Sequence, residues 1–285
     1  MKHRAAVLRA CGAALDFATG PQVMGVLNIT PDSFSDGGHH LARDAALDRA
    51  LQMVAEGAGW IDIGGESTRP GAMPVGEHEE LDRVVPVIEA LRTRTPTPIS
   101  IDTSKPAIMR AACAAGAVMI NDVNGLRAPG AVEAAAATGA AVCLMHMQGE
   151  PRTMQTAPRY DDVVAEVGEF LGERVAACEA AGIARERLLL DPGIGFGKTL
   201  AHNLTLLGHL AQLAPLDRPL LIGVSRKSMF QHLLGRPVEA RLPGGLAVAA
   251  LAVWQGVAIV RAHDVRETVD AVRTAHAIRE AQKAS

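Results

Sequence analysis

The chain has 285 residues, 48% of them hydrophobic, and its 28 Lys and Arg against 31 Asp and Glu give a formal net charge of −3. A mildly acidic chain with only 3% aromatic residues argues against a nucleic-acid binder, which shows a basic face and stacking platforms. No run of about 18 uncharged apolar residues offers a membrane span, and Arg9 and Asp16 interrupt the N-terminal stretch that a signal peptide needs to keep apolar. The expectation is a soluble, cytoplasmic protein that binds neither nucleic acid nor membrane. Cys11, Cys113, Cys143 and Cys178 lie far apart with no CxxC pair, a spacing that fits reduced, mostly buried thiols.

In chain order, the first clear element is the strand QVMGVLN (22–28), which gives way at once to the polar, glycine-ended stretch NITPDSFSDGG (28–38). An amphipathic pattern, LARDAALDRALQMVAEGA, leads to the strand WIDIGG (60–65), and GEHEELDRVVPVIEALR leads to PISIDT (98–103). VMINDV (118–123) and AVCLMH (141–146) follow, then the helical YDDVVAEVGEFLGERVAACEAAGI. The last strands are RLLLDPG (187–193), PLLIGVSR (219–226) and VAIVRAH (257–263). These runs are nearly continuous in Val, Ile and Leu, as expected for parallel strands covered on both sides. Eight strand-then-helix repeats predict an α/β fold of the (β/α)8 TIM-barrel type, with a doubly wound open sheet as the other arrangement of such repeats. No linker divides the chain, so one domain is expected over 1–285 with its core at about 22–280.

A barrel gathers its chemistry at the C-terminal ends of the strands. The residues expected there are Asn28, Asp62 with Glu66, Asp102, Asn121 with Asp122, His146, Asp191, the triplet Ser225, Arg226 and Lys227, and Arg261 with His263. Some of these must serve only as caps. DPGIGFGKT (191–199) imitates a phosphate loop, but Pro192 stands where GxxxxGK[ST] requires Gly, and GxGxxG fails as well. Its glycines instead suit a sharp turn and close approach to a flat ligand. His39, His40 and His146 have no HxH or HExxH partner and read as structural histidines.

Two constellations carry chemistry. Asp102, Asn121, Asp191 and Lys227 set two carboxylates, an amide and an ammonium around one mouth. Such a set can embrace a fused heterocycle with donor and acceptor edges, the carboxylate taking an amino group and its neighbouring ring N–H as it would take arginine. A buried salt-bridge network would account for the same residues. Arg69, Arg226, Lys227, Arg261 and His263 form a cationic set suited to phosphate, two of its strands being those where barrels often bind it. A magnesium ion shared by Asn28 and the ligand's phosphates fits the few protein ligands this ion takes.

The stretches VMGVLNITPDSFSDGG, IDIGGESTRPGA, ISIDTSKP, INDVNG, MHMQGEPRTMQ, LDPGIGFGKT, LLIGVSRKSMF and RAHDVRET resemble, in order, those of the bacterial dihydropteroate synthases from about residue 22 to residue 275. The resemblance implies a transferase of folate synthesis, a magnesium-dependent homodimer and sulfonamide target, which joins 6-hydroxymethyl-7,8-dihydropterin diphosphate to p-aminobenzoate and releases pyrophosphate. It further implies a pterin pocket of Asp102, Asn121, Met145, Asp191, Gly223 and Lys227, with Arg261 across the pterin face. By the same resemblance Asn28, Thr68, Arg69, Arg261 and His263 hold the diphosphate, with Asn28 also on the metal, and Thr68, Pro70, Phe196, Lys227 and Ser228 form the amine pocket. Asp36 belongs to the loop that closes over the site and, with Asp102, Lys227 and Arg261, makes up the catalytic set. Pyrophosphate is implied to leave before the amine attacks, so a closing polar loop would keep water from the cation. Ala262 and the Pro in RLPGG (241–245) depart from the family's pattern; the Pro puts the start of the following helix and the oligomer surface in question. Two other readings use the same fold: a pterin-binding methyl carrier of the methyltransferase type, which has no use for the SRKS and RAHD cations, and a non-catalytic binding protein.

Overall fold

A computed structural model describes residues 7–17, 19–29, 38–67, 73–150 and 153–284, apart from the side chains of 38–42, 214, 215 and 284. Strands and helices alternate: β3 Gln22–Asn28, α1 Gly38–Ala55, β4 Trp60–Gly64, α2 Glu77–Arg92, β5 Ile99–Asp102, α3 Pro106–Ala115, β6 Met119–Asp122, α4 Ala131–Thr138, β7 Ala141–Met145 and α5 Val163–Ala180. Then come β8 Leu188–Asp191, α6 Leu200–Gly208, β9 Leu221–Gly223, α7 Met229–Leu234, α8 Leu242–Trp254, β10 Ile259–Ala262 and α9 Val265–Ala284. The strand order is β8-β7-β6-β5-β4-β3-β10-β9, and each neighbouring pair is parallel. A bridge between Leu190 and Leu220, with the Leu190 N–H donating to Pro219 O at 3.0 Å, brings the two edges together into a barrel.

Side chains alternate across a strand, and each face has its own company. Ile61, Ile63, Ile101, Ile120, Val142, Leu144, Leu188 and Leu190 face outward into the core shared with the helices. Met24, Trp60, Met119, Cys143, Leu189, Leu221 and Ile259 fill the lower interior. The next inward positions are Asp62, Asp102, Asn121, Asp191 and Arg261. The polar site is thus the upper layer of a packed interior.

The lower end is closed by an element the sequence reading passed over. β1 Val7–Ala10 and β2 Ala13–Asp16 form an antiparallel hairpin, and Leu8 and Ala10 join the lower interior cluster, fully buried or nearly so. Its two-residue turn, Cys11 and Gly12, has φ of 49° and 81°, the left-handed pair that tight hairpins require. The Pro of RLPGG falls in the first turn of α8, where its missing N–H has no intrahelical partner to lose. Asp162 caps α5 by accepting from Val164 and Ala165 N–H at 3.0 and 3.1 Å. Among the described residues no helix is long and apolar enough to cross a membrane.

Candidate active site

The floor of the mouth is a buried ionic cluster. Arg261 Nε donates to Asp62 Oδ2 at 2.6 Å and Nη2 to Asp102 Oδ2 at 2.8 Å, while Asn121 Nδ2 donates to the same Asp62 oxygen at 3.1 Å. Arg261 gains basicity here because Asp62 and Asp102 outweigh the burial that opposes its charge. Burial pushes the Asp102 carboxyl up to about 7; Arg261 lowers it, and Asp62 and Asp122 raise it further. Asp62 Oδ1 and Asp102 Oδ1 are buried without a hydrogen-bond partner. Two acceptors with spare capacity beside the mouth suit a ligand rich in N–H donors.

Asp191 ends β8, level with Met145 of β7 in the sheet register. Its Oδ1 accepts from Gly193 N–H at 2.7 Å; burial raises its pKa, opposed by that bond and by Lys227. Lys227 Nζ lies 4.0 Å from the centre of the Phe196 ring, a cation–π contact, and burial lowers its pKa to about 8 against the pull of Asp191. Lys198, which the sequence reading set aside with the glycine loop, is buried with its ammonium 2.9 Å from His146 Nδ1. Burial first, then Lys198, lowers the His146 pKa to about 3. That imidazole is neutral and structural.

On the cationic side, His263 Nδ1 sits 3.1 Å from Ser225 Oγ, which also accepts from the His263 backbone N–H at 3.2 Å. No His adjoins Ser225 in sequence; the fold supplies one. The hydroxyl thus meets both the backbone N–H and the ring nitrogen of His263, a pair of contacts that orients the imidazole. Arg226 is engaged by Asp264 through two bonds, at 2.6 and 3.2 Å, so its charge is already paired. Glu66 turns to Lys105, whose ammonium also meets buried Glu80 and the carbonyl of Val75, at 2.6, 2.5 and 2.7 Å respectively. Asp122 accepts from Asn124 and Leu126 N–H and is a loop cap.

A cleft of about 410 Å³ joins these parts. Asn28, Asp102, Phe196, Gly223, Lys227, Ser228, Arg261 and His263 line it, together with Ser67, Met154, Gln155 and Arg241, which the sequence reading did not single out. Asn121, Met145 and Asp191 are buried and do not line it. A Cβ added to Gly223 would sit 3.9 Å from the Arg261 stem, so the glycine leaves that flank bare. Asp36, Thr68, Arg69 and Pro70 lie outside the described residues. Asp62, expected at the mouth as a strand end, proves to be the anchor of Arg261; Lys198, which was missed, was legible only as a lone cation closing a glycine-rich turn.

Residues 24–263 match the family described as pterin binding enzyme. The chain is 55% identical over 270 residues to the dihydropteroate synthase of Escherichia coli (strain K12), covering 95% of each. It superposes on the Yersinia pestis dihydropteroate synthase in complex with a sulfonamide drug with a TM-score of 0.90 at 54% identity, over 96% of this chain and 99% of that one. It is also similar to the Xanthomonas albilineans dihydropteroate synthase in complex with 7,8-dihydropteroate, with a TM-score of 0.86 at 49% identity over 96% and 98% of the two chains.

Proposed function

The chain belongs to the dihydropteroate synthases, a family of pterin-binding enzymes, and from that premise we propose how its residues divide the work. The reaction joins the methylene carbon of 6-hydroxymethyl-7,8-dihydropterin diphosphate to the amino nitrogen of p-aminobenzoate, giving 7,8-dihydropteroate and pyrophosphate. The observation that carries the assignment of roles is the Asp62–Arg261–Asp102 cluster, in which Asp102 lines the cleft and keeps one carboxylate oxygen unpartnered.

The pterin is held by Asp102, Asn121 and Asp191 on its donor edges, with Lys227 on the oxo side and Met145 and Gly223 along the slot. Arg261, anchored to both carboxylates, lies at the pterin face and reaches the diphosphate, which Asn28, His263, Thr68 and Arg69 complete. The C–O bond to the diphosphate breaks first, its electron pair leaving with pyrophosphate, and Asp102 stabilises the positive charge spread into the ring. The amine, held by Thr68, Pro70, Phe196, Lys227 and Ser228, then forms the C–N bond. Asp36 takes the catalytic role that the resemblance implies. Magnesium fits this set: Asn28 stands at the strand end, with Oδ1 3.7 Å from where a Gly64 Cβ would be and Asp102 Oδ2 3.8 Å from the same point, and among the described residues no three His, Cys, Asp or Glu side chains gather around a metal. When bound, the ion neutralises charge on the departing pyrophosphate. A single amide oxygen with phosphate oxygens and water is a usual magnesium environment.

The pH dependence follows from the two perturbed groups. Asp102 must be ionised, so the rate falls as pH drops through about 7; Lys227 must be charged, so the rate falls as pH rises through about 8. A bell-shaped profile of kcat/KM for the pterin diphosphate is expected. Asp102→Asn should erase the acid limb and Lys227→Met the alkaline limb; limbs that persist in these variants would assign the titrations elsewhere.

Ser228→Ala should raise KM for p-aminobenzoate by roughly 2- to 12-fold, one hydroxyl hydrogen bond contributing about 0.5–1.5 kcal/mol. A change confined to pterin affinity would move Ser228 out of the amine pocket. A homodimer is the reading favoured by the α8–α9 face, where Leu251 is 63%, Trp254 40% and Ile278 57% exposed along one groove. A cytoplasmic location agrees with four unbridged thiols.

A further inference from the structure

Lys198 is 3% exposed, and no described carboxylate pairs with its ammonium. Its three donors are nonetheless satisfied, by His146 Nδ1 at 2.9 Å and by the carbonyls of Gly193 and Phe196, each at 3.0 Å. The loop curls around this ammonium because Gly193, Gly195 and Gly197 have φ of 68°, 82° and 58°, a conformation that side chains other than glycine resist. A Cβ on Gly193 would fall 1.8 Å from His146 O. Two further carbonyls of the loop are held from outside it: Gln155 Nε2 donates to Gly195 O at 2.6 Å and Tyr160 OH to Gly197 O at 2.9 Å.

The product of this curl is the position of one ring. Phe196 is turned into the cleft, where it carries the Lys227 ammonium at 4.0 Å, while Lys198 itself does not line the cleft. We propose that Lys198 is a positioning residue of the amine pocket, fixing the Phe196 backbone and, through the Phe196 ring, the Lys227 ammonium. This rests on the assignment of Phe196 and Lys227 to that pocket. Asp191 feels the same ammonium, through space and through Gly193, which bonds to both, but β8 holds its backbone in register with Met145.

The test is kinetic. Lys198→Met keeps the buried stem and removes the donors; it should raise KM for p-aminobenzoate about tenfold or more, the loss expected for a charged donor, and shift the pterin diphosphate Kd by less than about threefold. In a Phe196→Ala background the same substitution should add less than about twofold, since both act through one ring. Fully additive effects, an unchanged KM, or amine KM and pterin Kd rising together would overturn the proposal. Phe196→Ala that leaves KM for the amine untouched would instead sink the pocket assignment, and the proposal with it. Should Lys198→Met fail to fold, His146→Leu removes one of the three acceptors and should raise the amine KM by about threefold with pterin affinity unchanged; the reverse pattern counts against Lys198.

Discussion

Asp191→Asn is expected to weaken pterin diphosphate binding by roughly a thousandfold, which converts to about 4 kcal/mol, while leaving the fold at least as stable. Asp191 Oδ1 accepts from Gly193 N–H at 2.7 Å. An asparagine must keep its carbonyl oxygen there, because the opposite rotamer sets its NH2 against the Gly193 N–H. Its amino group then faces the pterin's own amino and ring N–H donors. The variant loses a hydrogen bond to a charged acceptor, about 1.5–3 kcal/mol, and strands a donor at about 1–3 kcal/mol more. Stability does not fall, because burial already disfavours the ionised Asp191 and a neutral amide escapes that cost. Calorimetry for the ligand, with a thermal melt for the fold, separates the two. Unchanged affinity would contradict the pocket.

Arg261→Gln should damage fold and function together. It removes the cation that Asp62, fully buried, and Asp102, 8% exposed, share, and stripping one partner from a buried ionic cluster costs about 3–5 kcal/mol. For a chain of this size that is roughly 5–8 °C in Tm. The pH dependence has a definite sign. Asp102 has a folded pKa already raised to about 7 from 3.8, so the folded state holds a proton the unfolded state has lost, and stability falls as pH rises through that window. Without Arg261, which lowers that pKa, the folded value climbs further; the deficit is therefore largest at alkaline pH and shrinks toward pH 4. Adding Asp62→Asn should restore much of the stability and none of the turnover, expected to be down by about a hundredfold or more for loss of one preorganised donor to the leaving group. A melt unchanged between pH 6 and 9 would show that Arg261 does not balance these carboxylates.

Much of this was readable in the chain. The eight strands announced themselves by unbroken Val, Ile and Leu because both faces of each are covered, and the polar residue terminating most of them marks the barrel mouth. What escaped was short or disguised. The β1–β2 hairpin has four-residue strands, and its turn is Cys-Gly where Asn-Gly would have signalled it; its Leu8 matters only because the lower barrel is open beneath Trp60 and Met24. Asp62 read as one strand end among several, yet inward alternation makes it the anchor of Arg261. Arg226 read only as one of the cations of the phosphate set, and the sequence could not show that the fold also pairs it with Asp264 at the cleft. Lys198 was hidden by its likeness to a failed phosphate motif, since sequence cannot show that a loop folds around its own lysine. The Pro at 243 seemed a threat to its helix and is a starter of it.

The most direct measurement is pyrophosphate release by the purified protein with the pterin diphosphate and magnesium, in three arms: alone, with p-aminobenzoate, and with a sulfonamide in its place. Release that depends on the amine, with the sulfonamide turned over as a surrogate amine, is the predicted result. No release in any arm from folded protein, together with tight binding of methyltetrahydrofolate, would contradict the account and identify a methyl carrier of the same fold.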